Sequence, residues 1–396
     1  MSATWIHSKW AIIGDGHSVL SPAWVAFDGK YITEVTDVPP ENVQKLKVVE
    51  LSETTLTPGL INIHDHISRK QLRFPAQGKT FGEAANALMA HDQNYLILCS
   101  YANMMNYLKK EGITYVRDQG LSGYTSIELR RAIEDGVVQG PYISSCGISL
   151  SITGGHCYRQ SIECDGPDAV RRAVRMQVKH GADVIKFMGS GGLEHFPDED
   201  PEIPQFTIDE LRAGVDTAHD LGLACAIHAY STEGIRRAVV AGVDNIEHGC
   251  LMTQELIDEM AKRGTHLNPT MTGIRNAAKA GPNIHYWEML QERVFKKQEQ
   301  GMRWAKQAGI LIGAGTDTAG TLSDEIAMIG ETLHEGPVEA LGHALGVNAK
   351  IAGRDDMGLL KKGRLANLVA FAGDLTKSLD GLKNVVQVWK DGVPYI

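Results

Sequence analysis

The chain has no apolar run near the roughly 18 consecutive residues that cross a bilayer, which excludes a helical membrane protein. It has no surplus of positive charge either: 39 Lys and Arg stand against 48 Asp and Glu, a formal net charge of -9. Without a basic field to gather phosphates, neither nucleic acid nor a membrane surface is expected as a partner, and a small molecule is. Cysteine is sparse, with six in 396 residues and no C-x-x-C pair. Disulfides are therefore not expected, and free thiols in a reducing compartment are. Met1-Ser2-Ala3-Thr4-Trp5-Ile6-His7 lacks the basic stretch and apolar core of a secretory signal, so the cytoplasm is the expected location. Low-complexity linkers, long charge runs and short-period repeats are also missing.

What is present is a chain long enough for one large domain, or a large and a small one, with a full core. The first fifty or so residues hold short β-type segments, Trp10–Ile13, Trp24–Phe27 and Tyr31–Val35, broken by Asp-Gly and Pro-Pro turns. From about Leu60 short apolar strands alternate with amphipathic helical stretches, the mark of repeated βα units and a parallel sheet. The strands expected are Leu60–His66, Thr114–Asp118, Tyr142–Cys146, Asp183–Phe187, Ala224–His228, Asn245–His248, His266–Pro269 and Ile310–Ala314. Pro167–His180 and Thr207–Leu221 carry the 3.6-residue spacing of outer helices. This is an α/β chain that fits a (β/α)8 TIM-like barrel over 59–354. After about residue 355 β-type sequence returns in Asn367–Phe371 and Val385–Trp389. Segments 1–58 and 355–396 are expected to pair into one small β-sandwich, with a separate C-terminal hairpin as the alternative.

A strand puts residues i and i+2 on one face, so His64 and His66 can aim two imidazoles at one point while Asp65 faces away. Alone, this H-x-H is also what structural or surface histidines look like. Three more strands deliver a potential ligand near their C-terminal ends, where barrel active sites are built: His228 in Ala226-Ile227-His228-Ala229, His248 in Ile246-Glu247-His248-Gly249, and Asp317 after Gly313-Ala314-Gly315-Thr316. Together these residues form a ligand shell for zinc or a similar divalent ion. Val184-Ile185-Lys186-Phe187-Met188 places an amine in a strand apolar enough to be buried on both faces, and burying that charge unpaired costs several kcal/mol. Either its head escapes to solvent at the strand end, or it is desolvated beside cations. In the second case a neutral Lys186 amine can take up CO2 as a carbamate, an anion able to bridge two metals.

The ordered set His64-x-His66, Lys186, His228, His248 and Asp317 resembles the amidohydrolase superfamily of binuclear-metal type. Thr57-Pro58-Gly59-Leu60-Ile61-Asn62-Ile63-His64-Asp65-His66, Ile246-Glu247-His248-Gly249 and Gly358–Val369 resemble its usual pattern, and the likeness covers nearly the whole chain. Within it, Lys186-Phe187-Met188-Gly189-Ser190-Gly191-Gly192 and His228-Ala229-Tyr230 are most similar to prolidase-like dipeptidases and N-acyl amino-acid hydrolases. Two features depart from the pattern: Ala366-Asn367-Leu368 replaces Ala-Asp-Leu, and Leu345-Gly346-Val347-Asn348-Ala349 lacks a customary Thr.

The resemblance implies two divalent ions, zinc before manganese or iron, held by His64, His66, carbamylated Lys186, His228, His248 and Asp317. It implies hydrolysis of an amide or peptide C–N bond by a metal-bridging hydroxide. Asp317 is then the proton carrier, while His156 and Tyr230 address the scissile carbonyl. The substrate stays open among a dipeptide, an N-acyl amino acid and a xenobiotic amide. Glu247 and Asp65 should point to the opposite strand face from the ligands and pair structurally. Arg159 and Arg275, on expected strand-to-helix loops, are candidates for a substrate carboxylate. Cys157 invites a nucleophile role that the metal set makes redundant. A deaminase, a phosphotriesterase or lactonase, and a non-catalytic scaffold that binds partner proteins are the alternatives. The chain is silent on whether it forms a homo-oligomer.

Overall fold

The computed structural model describes residues 3–69, 87, 90–121, 123–193, 199–279 and 288–395. The turn-broken amino-terminal stretch forms β1 (Thr4–Ile12), β2 (Val19–Leu20), β3 (Ala23–Asp28), β4 (Tyr31–Thr36) and β5 (Lys47–Pro58). β3 and β4 pair antiparallel around Gly29-Lys30, and β1 lies between β3 and a parallel β5. Asn367 O then receives the amide of Gly59 at 2.7 Å, where the chain leaves this sheet.

The central strands follow closely where they are expected. β6 (Leu60–Asp65), β7 (Ile113–Asp118) and β8 (Tyr142–Ser145) make one parallel sheet. Two-residue strands β9 (Leu150–Ser151) and β10 (Ile162–Glu163) join β11 (Val184–Met188), β12 (Ala224–Ala229), β13 (Asn245–His248) and β14 (His266–Asn268) in a second. Every residue of β6, β7 and β11 is buried, which explains their near-continuous apolar sequence.

The expected eighth strand differs. Ile310–Ala314 makes one bridge, Leu267 to Ile312, and no longer ladder. A β carbon on Gly313 would lie 2.3 Å from Ile63 Cδ1, and one on Gly315 would lie 2.6 Å from His64 Cβ. The bare backbone therefore lies directly on β6, and single bonds replace a regular ladder: Ile63 N donates to Ala314 O at 3.3 Å and Thr316 N to His64 O at 3.0 Å. At the other gap Asp183 N donates to Ser145 O at 2.8 Å.

The helices between these strands have local causes. Pro167–His180 starts with proline at its first position, has Asp168 in the first turn and Lys179 and His180 in the last, and stops at Gly181. Ile208–Asp220 begins on a capping box between Thr207 and Glu210. Their buried faces pack Val170, Val174, Leu211 and Val215 against Phe187 and Phe206 in the main core.

The carboxyl-terminal strands β15 (Leu368–Ala372), β16 (Val385–Lys390) and β17 (Val393–Pro394) return to the first sheet. β15 pairs antiparallel with β5, giving one eight-stranded sheet in the order β17-β16-β15-β5-β1-β3-β4 with β2 on β1. The two chain ends pair through β5 and β15, and their hydrogen bonds draw a single mixed sheet. Ile6, Val25, Leu56, Leu368 and Trp389 share its core.

Asn348, which stands in the helical segment that departs from the usual pattern, ties the rim together. Its fully buried amide donates to Ile61 O at 2.7 Å and Ala314 O at 2.8 Å, and accepts from Ala314 N at 3.0 Å. Asn348→Ala removes three buried hydrogen bonds, leaving Ala314 O only its longer bond from Ile63 N, and is expected to destabilise the chain by about 2–4 kcal/mol. Urea unfolding measures this; an unchanged midpoint would show that the staple contributes nothing.

Candidate active site

The strand ends converge on a cavity of about 30 Å³ lined by His64, His66, His156, Lys186, His228, Tyr230, His248 and Asp317. All eight side chains singled out from the sequence meet there. His248 and Asp317 reach it through backbone conformations unusual for non-glycine residues, with φ of 72° and 53°. Such strain persists where the surrounding structure over-determines it, and it clusters at functional sites.

The hydrogen bonds of the imidazoles divide them into two kinds. His64 Nδ1 bonds Glu247 Oε2 at 2.6 Å, His66 Nδ1 the Gly120 carbonyl at 3.1 Å, His248 Nδ1 the Thr270 hydroxyl at 2.6 Å, and His228 Nε2 the Gly191 carbonyl at 3.2 Å. In each of these four rings the second nitrogen has no hydrogen-bond partner among the described residues. One anchored nitrogen and one uncommitted nitrogen is the arrangement of a metal-binding histidine. His156 differs, because Nδ1 bonds Glu199 at 2.9 Å and Nε2 lies 3.4 Å from Cys157 Sγ.

Burial pushes the imidazoles of His66, His228 and His248 well below the usual histidine range, so they are neutral and their lone pairs are available. Burial alone would raise Asp317, but His64, His66, the Thr318 amide and Lys186 outweigh it and hold the carboxyl at about 2. His64, His66 and Asp317 each offer a ligand atom, all within 4.8 Å of one another. Lys186 is 1% exposed, and its Nζ has no hydrogen-bond partner among the described residues. Desolvation lowers its pKa despite the opposing charges of Glu247 and Asp317. Uncommitted imidazoles, an ionised carboxylate and a buried amine with no partner suit divalent metal ions, which would give those atoms the partners they lack.

The profile of the amidohydrolase family matches residues 55–394, spanning this whole ligand set. The chain belongs to the amidohydrolase family. It is thus a hydrolase acting on C–N bonds, from a family that generally uses divalent metals. Among similar solved structures is a Xaa-Pro dipeptidase with bound methionine, 30% identical with a TM-score of 0.86 over 100% of both chains. A prolidase complexed with N-methylphosphonate-L-proline is 27% identical, with a TM-score of 0.85 over 100% of this chain and 99% of that one. Ochratoxinase of Aspergillus niger is 27% identical in sequence over 98% of this chain and 86% of its own. Its crystal structure superposes with a TM-score of 0.86 at 25% identity, over 100% of this chain and 95% of that one.

One expectation about this amidohydrolase site is corrected in part. Glu247 pairs structurally, as expected, but on the side of the candidate ligands: it holds His64 and also accepts from Asn245 and, at 2.7 Å, from Asn268. His248, next in the chain, has a positive φ of 72°, outside the extended conformation on which strict strand alternation depends. Asp65 does point elsewhere, into a buried network with Asn62, Tyr107 and Thr316. Arg275 is engaged with Glu299 at 2.6 Å and does not line the cavity. Arg159 lines an adjoining hollow that, among the described residues, shares only Leu121 with the main one.

Thr270 and Glu199, which anchor His248 and His156, were not legible from the sequence, since no spacing connects either to its partner. Gly192 gave a weak signal in its glycine run: a β carbon there would lie 2.1 Å from His156 Cε1. Glu247→Ala removes the group that orients His64 and is expected to weaken zinc binding about 10–100-fold. Chelator competition measures this, and wild-type affinity would exclude His64 as an oriented ligand.

Proposed function

We propose that this amidohydrolase cleaves the C–N bond of a dipeptide, an N-acyl amino acid or a related small amide with two divalent metal ions, zinc being the first choice. The observation that carries this is the buried Lys186 amine, without a hydrogen-bond partner among the described residues, beside four imidazoles that each keep one nitrogen without such a partner there. His64, His66, His228, His248, Asp317 and Lys186, the last as a carbamate formed from CO2, would hold the ions. Bound there, the ions supply Lewis acidity and bring water to a pKa at which it is a nucleophile at neutral pH.

The side chains then have separable tasks. Asp317, ionised at neutral pH, can take the proton of the attacking water and pass it to the departing nitrogen. Tyr230, stacked on His248 at 5.0 Å and edge-on to His228 at 4.8 Å, is held where a carbonyl oxygen could be addressed. His156 would do so from the other side, once its Nε2 turns from Cys157. The peptide-cleaving relatives at 27–30% identity over the full chain support a dipeptide or acyl amino acid as the substrate class.

We read the two parallel sheets as one (β/α)8 barrel spanning 59–354, supported by the bonds across both gaps, and segments 1–58 and 355–396 as the small β domain. The six free thiols suit a cytoplasmic protein.

A hydrolysis screen of dipeptide and N-acyl amino-acid libraries, run with elemental analysis, tests the assignment. Release of amino acid and acid is expected; release of ammonia alone would indicate a deaminase instead. Lys186→Ala is expected to lose metal and turnover together, and unchanged values for both would exclude the two-metal site. Asp317→Asn is expected to keep metal while kcat falls about 10²–10⁴-fold. Wild-type turnover in that variant rules out Asp317 as the proton carrier.

A further inference from the structure

Cys157 lines the cavity from an unusual position. It is 7% exposed, and its φ of 55° is a conformation that L residues other than Asn and Asp seldom adopt. Its sulfur lies 3.4 Å from His156 Nε2, while Glu199 Oε1 and Oε2 receive Nδ1 of the same ring at 2.9 and 3.1 Å. A carboxylate that takes the Nδ1 proton fixes the tautomer, so the lone pair of Nε2 faces the thiol. Carboxylate, imidazole and thiol are thus lined up in the order of an activated nucleophile. None of these three atoms belongs to the ligand set, because both nitrogens of His156 are already engaged.

We propose that Glu199, His156 and Cys157 form a nucleophilic thiol site that takes a small hydroperoxide and is oxidised at Sγ to a sulfenic acid. In this step the sulfur attacks one oxygen of hydrogen peroxide, an S–O bond forms and the O–O bond breaks. The thiol proton passes to His156 Nε2 and on to the departing hydroxide, leaving water. Sulfur is oxidised by two electrons and the peroxide is reduced by the same two.

The other cysteines lack this arrangement. Burial pushes the thiols of Cys146, Cys225 and Cys250 far above the ordinary range and that of Cys164 up to about 12. Cys99 is half-buried and more open than Cys157, so accessibility alone would favour its oxidation. Met188 packs beside Cys157 and is the other oxidisable neighbour. Because His156 serves the thiol and, under the proposed function, the carbonyl as well, oxidation of Cys157 would also stop hydrolysis.

The test exposes the metal-loaded enzyme to hydrogen peroxide, quenches it by unfolding in dimedone and maps the adducts by peptide mass spectrometry. Cys157 is expected to react about tenfold or more faster than Cys99. Glu199→Gln should slow Cys157 by a similar factor and leave Cys99 unchanged. Cys157→Ser should keep whatever activity it starts with through a treatment that inactivates the wild type, and dithiothreitol should restore the wild type. Oxidation of Cys99 or Met188 before Cys157, or a wild-type rate at Cys157 in Glu199→Gln, overturns the proposal. The oxidation map is read without any amide substrate, so its failure and that of the hydrolase assignment are told apart.

Discussion

A primary amine taken out of water with no hydrogen-bond partner is among the most expensive groups a fold can bury, and the rest of this site is arranged around one. Lys186 sits in the fully buried strand β11, with its neighbours Ile185 and Phe187 in the core. Ordinary stability would place an apolar side chain there, or a carboxylate within bonding distance. Neither is present: Glu247 and Asp317 influence the amine through space, while Glu247 spends its oxygens on His64, Asn245 and Asn268. The cost becomes intelligible once the amine is one of several groups that wait for a common partner.

The same logic explains the histidines. An imidazole with one nitrogen pinned has a fixed ring plane and a directed lone pair, and four rings are pinned by groups of different origin: a carboxylate, two carbonyls and a hydroxyl. Burial keeps the rings of His66, His228 and His248 neutral, which is the protonation state a metal needs. The backbone contributes as well, through the positive φ of His248 and Asp317 and the bare backbone of Gly315 against His64. These local costs are met by a large apolar core and by staples such as Asn348, and stability and function are therefore segregated between the interior and the strand ends.

His156 shows how finely this environment separates roles. It stacks on His228 with ring centroids 4.2 Å apart, yet its hydrogen bonds commit both nitrogens, so it cannot be a fifth equivalent ligand without breaking one. Two neighbouring imidazoles in one cavity are thus directed to different chemistry by partners 43 residues and one residue away in the chain.

Most strand positions, the helix limits and the order of the candidate ligand residues were already determined by the sequence. Continuous apolar runs such as Val184–Met188 specify buried strands, a proline or capping box starts a helix, and a histidine or aspartate at a strand's C-terminal end is a local fact. The tertiary structure alone decided which nitrogen of each imidazole is uncommitted, that Glu247 turns inward to His64, that the last strand meets β6 through glycine backbone, and that Glu199 finds His156. Each of these depends on a contact between segments far apart in the chain, or on a single backbone torsion that breaks strand alternation. Neither leaves a period or spacing in the sequence, because the partners are brought together only when the core packs.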